Sequence, residues 1–211
     1  SRTPREPESF RESDCGGLMF IFGHIGIGRK VASPWSRGLP FWWLVFGMLL
    51  PDLIDKTTFY SLRFLGVTDP MIDGTRTFGH TAIFLLLILA ISGIAKSKKI
   101  LAVALGMATH LLLDNISDRL HDVFNPGLPA NHSAATALLW PLMGVRFAPF
   151  PYHSMAEHLS NNLQPEIILA EIVGLLLIGW DYWKTENRVE LRKFIFSRRY
   201  RKLRRYRRGL D

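Results

Sequence analysis

Apolar and polar residues separate into blocks along this chain. Residues 78–95 are apolar apart from His80, Thr81 and Ser92. Residues 100–113 continue the pattern, contain His110 and run into Asp114, and residues 167–183 are interrupted by Glu171 and Asp181. A fourth segment, residues 39–54, is shorter and contains Pro51 and Asp52, and a fifth, residues 17–28, contains His24. A membrane-crossing helix needs about 20 mostly apolar residues. The pattern therefore predicts an all-α, polytopic membrane bundle of about four spanning helices. Residues 17–28 are too short to cross alone and are expected to form a half-helix or a buried re-entrant piece.

Charge orients these elements. The net charge is +8, yet residues 184–211 hold twelve Lys or Arg against three Asp or Glu, so the remainder sums to about −1. Residues 29–38 carry three basic residues and no acid, and residues 96–99 carry three lysines. By the positive-inside rule these three stretches are cytoplasmic. Residues 39–54 and 100–113 then run outward and residues 78–95 and 167–183 run inward, in an inner (cytoplasmic) membrane. Residues 55–77 and 115–166 are expected as outer loops, the second long enough to cover something. Three regions follow: a polar segment at 1–16, the embedded part at 17–183, and a basic interfacial helix at 184–211. Tyr182, Trp183, Phe194, Phe196, Tyr200 and Tyr206 are interleaved with the last charges, which suits a helix lying on acidic lipid headgroups. No nucleic-acid partner is expected, because the tail directly follows an apolar run. Residues 1–16 are polar with seven charges, unlike a cleavable signal peptide.

The single cysteine, Cys15, excludes an internal disulfide and cysteine metal clusters. Any metal must be held by His, Asp or Glu. Ionisable side chains inside apolar segments are costly and mark a candidate site. They are His24, Asp52, Asp55, His80, His110, Asp114 and Glu171. The orientation drawn from Lys and Arg alone puts Asp52, Asp55, His80, His110 and Asp114 at one depth. His110 and Asp114, four apart, share a helix face, as do Asp52 and Asp55, three apart. Imidazole and carboxylate suit zinc, with manganese or iron as alternatives. Singly these residues are weak signals. A lone histidine at a helix end is as often structural, Asp52 after Pro51 fits a water-facing helix end, and Glu171 fits a bond to a neighbouring helix. His121, Asp122, His132, His153, Glu157 and His158 are expected on a solvated loop, although His153 and Glu157 share the four-residue spacing of a ligand pair.

The order of motifs resembles the YdjM-type family of inner-membrane metal-dependent hydrolases. Gly23-His24 opens it. Leu49-Leu50-Pro51-Asp52-Leu53-Ile54-Asp55 resembles that family's LLPDxD element with one extra residue between the acids. Arg76-Thr77-Phe78-Gly79-His80-Thr81 resembles HRGxTHS, departing at its first His and its Ser. Thr109-His110-Leu111-Leu112-Leu113-Asp114 resembles SHxxxD, and Leu139-Trp140-Pro141 the LWP that follows. A Glu opening the last helix also fits, with Glu166 the better match than Glu171. The family is in turn similar to zinc-dependent phospholipases C and single-strand nucleases. That similarity implies one or two divalent ions, with Asp52 or Asp55, His80, His110 and Asp114 around the first, Asp114 bridging towards a second near His24, and phosphoester hydrolysis.

The expected function is thus a membrane-embedded metallohydrolase acting on a phosphoester such as a phospholipid. The metal would polarise a phosphoryl or acyl oxygen and activate water. Asp52 or Asp55 would act as general base, and Arg76, close to His80 in sequence, would stabilise negative charge. The rival is a non-enzymatic membrane protein in which the same residues hold a structural metal or pass ions or protons.

Overall fold

A computed structural model describes residues 21–67, 74–124, 132–147 and 165–183. Among the described residues the chain is helical, with no strand. We number the helices α1 (Ile21–Ala32), α2 (Phe41–Phe64), α3 (Ala82–Ala95), α4 (Lys98–Phe124), α5 (Ser133–Leu138) and α6 (Pro165–Trp183), with a 3₁₀ turn at Phe78–His80 before α3. Both predicted terminal regions, residues 1–16 and 184–211, lie outside the described residues, as do His153, Glu157 and His158.

Helix α4 is the axis of the molecule and packs against α1, α2, α3 and α5. It begins where α3 ends, in a tight turn. Lys96 takes a left-handed conformation (φ 48°), and Ser97 N–H and Lys96 N–H donate to the Ser92 and Gly93 carbonyls, the bonding pattern of a Schellman close. Ser97 Oγ then accepts from Ile100 N–H at 3.4 Å and caps the next helix. α3 therefore folds back antiparallel on α4.

Two pairs of glycines set the remaining packing. A Cβ on Gly47 of α2 would run into the Val103 backbone of α4, and one on Gly106 of α4 into the Leu44 backbone of α2. Likewise a Cβ on Gly26 of α1 would run into the Gly174 backbone of α6, and one on Gly174 into the Phe22 and Gly23 backbone of α1. Backbones approach this closely where small residues line the seam, a pattern common between membrane helices. The contacts Leu44–Gly106 and Met48–His110 make α2 and α4 parallel. Phe22–Glu171 and Lys30–Asp181 make α1 and α6 parallel too. Arg29 joins the same Asp181 carboxylate at 3.5 Å.

The structure corrects the expected boundaries. α2 continues ten residues beyond Ile54, through Pro51, to Phe64, and α4 continues past Leu113 to Phe124. The start of each expected outer loop is thus helix. The apolar run marks only the stretch that lacks polar side chains; a helix persists as long as its backbone bonds are satisfied. Pro51 removes one donor, yet it is buried against neighbours that hold the backbone in place. By length and composition α4 is the one described helix able to cross a membrane, while α3 is apolar but shorter. α2 is interrupted by Asp52, Asp55, Lys56 and Arg63, and α6 by the acidic residues Glu171 and Asp181.

The interior mixes small and polar residues with some large apolar ones, Leu44, Phe59, Leu111 and Phe147 among them. Buried residues include Ala32, Ala102, Ala104, Met48 and Met107, together with His24, His80, His110, Asp55, Asp114, Asp118 and His121. Other large aliphatic side chains face outward: Leu86, Leu87 and Ile94 on α3, Leu169, Leu175 and Leu176 on α6, and Leu53 on α2.

Candidate metal centre

Four elements bring the polar residues together. His24 lies near the start of α1, Asp52 and Asp55 follow Pro51 in α2, His80 ends the 3₁₀ turn, and His110 and Asp114 lie one turn apart in α4. The 3₁₀ turn is pinned to α2 by Asp55. Its Oδ2 accepts Thr77 N–H at 2.6 Å and its Oδ1 accepts Gly79 N–H at 2.8 Å. The approach demands glycine, since a Cβ at position 79 would stand 2.9 Å from the Pro51 carbonyl oxygen and 3.0 Å from Asp55 Oδ1. Phe78, Trp140 and Phe147 pack together over the other side of the turn, with ring centroids 5.2–5.6 Å apart. This places the Leu139-Trp140-Pro141 motif behind His80.

Hydrogen bonds fix both central histidines in one tautomer. His80 Nδ1 is 2.7 Å from Asp55 Oδ2, and His110 Nδ1 is 2.6 Å from the Met48 carbonyl oxygen. Both partners only accept, so Nδ1 carries the proton in each ring and Nε2 is left with its lone pair. Those two Nε2 atoms face each other at 3.2 Å. Asp114 Oδ2 lies 3.5 Å from His80 Nε2 and 3.8 Å from His110 Nε2. Asp52 Oδ1 lies 3.6 and 4.0 Å from the same two atoms. Four potential ligand atoms, two ring nitrogens and two carboxylate oxygens, thus converge. Ligand atoms of a tetrahedral zinc, each about 2.0–2.1 Å from the ion, stand about 3.3–3.4 Å apart. The residues fit a small divalent cation.

The combinations His80–His110–Asp114 and His24–Asp52–His110 each have the spacing to hold an ion. They share His110, whose second nitrogen is committed to Met48, so they are two faces of one centre. His24 stacks on His110 at 4.0 Å with the rings 18° apart, and its Nε2 is 3.3 Å from Asp114 Oδ1. Its buried Nδ1 has no partner among the described residues.

Behind Asp114 stands Arg76. Its Nε is 3.1 Å from Asp114 Oδ2, and its Nη1 donates to Asp118 at 2.9 and 3.0 Å and to Ser133 Oγ at 2.7 Å. Burial works against the Arg76 charge, but Asp114 and Asp118 outweigh it and hold the guanidinium charged well above its ordinary range. Taking the carboxylates as ionised, Asp52, Asp55, Asp114 and Asp118 against Arg76 and Lys56 leave two negative charges, which a divalent cation would balance.

The structure separates residues that spacing grouped together. Asp55, expected as a ligand or general base, turns both oxygens to the 3₁₀ turn and His80 and orients that ring from behind. Glu171 accepts Gly23 N–H at 2.7 Å and Phe22 N–H at 3.2 Å and so holds the first turn of α1. Glu166 lies in α6, but its side chain is outside the described residues. Asp118 and His121, which sequence reasoning left on or passed over in a solvated loop, are buried. His110, Asp114, Asp118 and His121 follow helical spacing along one face of α4, a signal visible once the helix is extended.

Asp55→Asn is expected to weaken cation affinity about 10- to 100-fold while helix content is kept, as for other residues that support a ligand. A chelator-competition titration of the folded protein reads this. Unaltered affinity would confine Asp55 to holding the turn.

No family model, curated protein or solved structure matches this chain.

Proposed function

We propose that this chain is a multi-pass membrane protein that binds one divalent cation, zinc foremost, and hydrolyses a phosphoester, with membrane lipids as the substrate class. The observation that carries the metal is the pair of bare Nε2 atoms 3.2 Å apart, set among carboxylates in a buried pocket. The resemblance to the YdjM-type hydrolases supports the chemistry.

The membrane reading rests on the inverted distribution of side chains. Exposed Leu and Ile cover much of the helices, while Gly, Ala, His and Asp share the interior with Leu44, Met48, Phe59 and Met107. Monomeric proteins in water rarely expose apolar surface on this scale. One end of the bundle also gathers Arg29, Lys30, Lys96, Lys98 and Lys99 beside the exposed Trp35, Trp42, Trp43, Trp180 and Trp183. Basic and indole side chains together suit a cytoplasmic boundary. Asp114 lies about 24 Å further along α4 from Lys98, inside the far boundary of an apolar layer about 30 Å thick. That depth is close beneath the ester region of the outer leaflet. The tail at residues 184–211 would rest on acidic headgroups at the inner face.

His80, His110 and Asp114 would hold the ion, with Asp55, Met48, His24 and Arg76 fixing their orientation. Three protein ligands with Asp52 beside them would suit a catalytic zinc, which keeps one position for water or substrate. The ion would supply polarisation of the substrate oxygen and activation of water. Asp52, at the partly exposed edge, takes the proton at a carboxylate oxygen. Arg76 Nη2, buried and without a partner among the described residues, is a spare donor for a phosphate oxygen.

Close burial of the histidines and Asp114 favours a second reading, a closed structural metal site. Elemental analysis of detergent-purified protein, followed by assays on phospholipids, decides between them. We expect about one zinc, manganese or iron per chain and release of a headgroup or phosphate. One ion per chain without turnover on any phosphoester supports the structural site, and no bound metal overturns both.

A further inference from the structure

Among the described residues, the side chains of the centre differ in exposure. His24, Asp55, His80, His110 and Asp114 have side chains at most 6% exposed, whereas Asp52 is 20% and Lys56 27% exposed. Asp52 stands at the partly exposed edge. Its Oδ1 looks inward to the two histidines, and its Oδ2 accepts Lys56 Nζ at 2.6 Å. Lys56 lies one helical turn beyond Asp52 on the same face of α2.

Two cations flank the centre, and they are placed differently. Arg76 is buried, with three of its contacts committed to Asp114, Asp118 and Ser133. Lys56 is partly exposed and held by a single carboxylate oxygen. A lysine ammonium is a point charge on a flexible stem, able to swing between neighbouring anions. The partly exposed ammonium stands against the outer oxygen of Asp52. Like charge would turn a cationic group away there, and a neutral ester would gain nothing from it.

Building on the metallohydrolase reading, we propose that Lys56 is the substrate-recognising cation of the entrance, and that the site selects a phosphate group, which it grips between the Lys56 ammonium and the bound ion.

The test uses the full chain in detergent, loaded with zinc, in wild-type, Lys56→Met and Lys56→Arg forms. Zinc content is measured for each, and calorimetry follows binding of inorganic phosphate and of a short-chain phosphatidic acid. We expect wild-type zinc content in both variants. Phosphate and phosphatidic acid should bind about 10- to 100-fold more weakly to Lys56→Met, the worth of one charge-assisted hydrogen bond, and recover in Lys56→Arg. Tighter binding of the lipid than of inorganic phosphate would mark a headgroup as the source, and equal binding a free phosphate, each with the same dependence on Lys56. Wild-type anion affinity in zinc-loaded Lys56→Met overturns the proposal, and so does loss of zinc in that variant, which would make Lys56 a support of Asp52. Absence of zinc from the wild type instead overturns the metal reading beneath it.

Discussion

Replacing His80 or Asp114 by alanine is expected to reduce bound divalent metal from about one per chain to a small fraction of that, and to abolish hydrolysis. The loss should exceed the roughly 10- to 100-fold effect of removing a residue that only supports a ligand. His80→Ala is the cleaner variant. Asp55 would keep the Thr77 and Gly79 amides as donors, so no buried carboxylate is stranded. Asp114→Ala, by contrast, takes a partner from His24 and from Arg76 as well, and part of its effect will be on folding. Removing one member of a buried charged pair commonly costs about 3–5 kcal/mol. Metal content measured by mass spectrometry on folded, monodisperse protein separates the two effects. Full metal occupancy in both variants would dismiss the centre.

The second large effect should come from a residue with no chemistry at all. Gly47→Val or Gly106→Val would force a side chain into the facing helix backbone, which cannot step aside as a side chain can. Overpacking a core costs about 1–3 kcal/mol and occasionally more, and backbone collisions belong at the upper end. Spreading α2 from α4 would also pull the Met48 carbonyl from His110 Nδ1, so metal should be lost with stability. Gly93→Ala and Gly179→Ala provide the contrast. Both glycines are helical with open space around the missing Cβ, and alanine there should gain up to about 1 kcal/mol. Thermal unfolding in detergent, followed by size exclusion, reads all four. Equal melting temperatures across the set would contradict the glycine-lined seam.

Polar residues embedded in apolar runs identified much of the centre from sequence, because burying an ionisable group is too costly to occur often without a partner. The spacing of His110 and Asp114 carried over directly to one face of α4. Other features had no sequence signal of that kind. Asp52 and Asp55 are both near one face of α2, and only the docking of the 3₁₀ turn decides that Asp55 serves that turn while Asp52 looks inward. Asp118 was missed because the helix was ended where its apolar residues ended. Glu171 was ambiguous for a different reason: its partners, Phe22 and Gly23 N–H, lie nearly 150 residues away, and backbone donors leave no mark in a sequence.

That long-range pairing bears on how the protein is made. α1 is the first described helix to leave the ribosome and α6 the last, yet α1 is held along its length by α6, through Glu171, the Gly26–Gly174 crossing and Asp181. His24 meets His110 and Asp114 of α4, and α6 then adds the hold on the first turn of α1 beside it. Every residue of the centre is thus made before the last described helix, and a product cut short before Pro165 would carry them all but hold α1 less firmly.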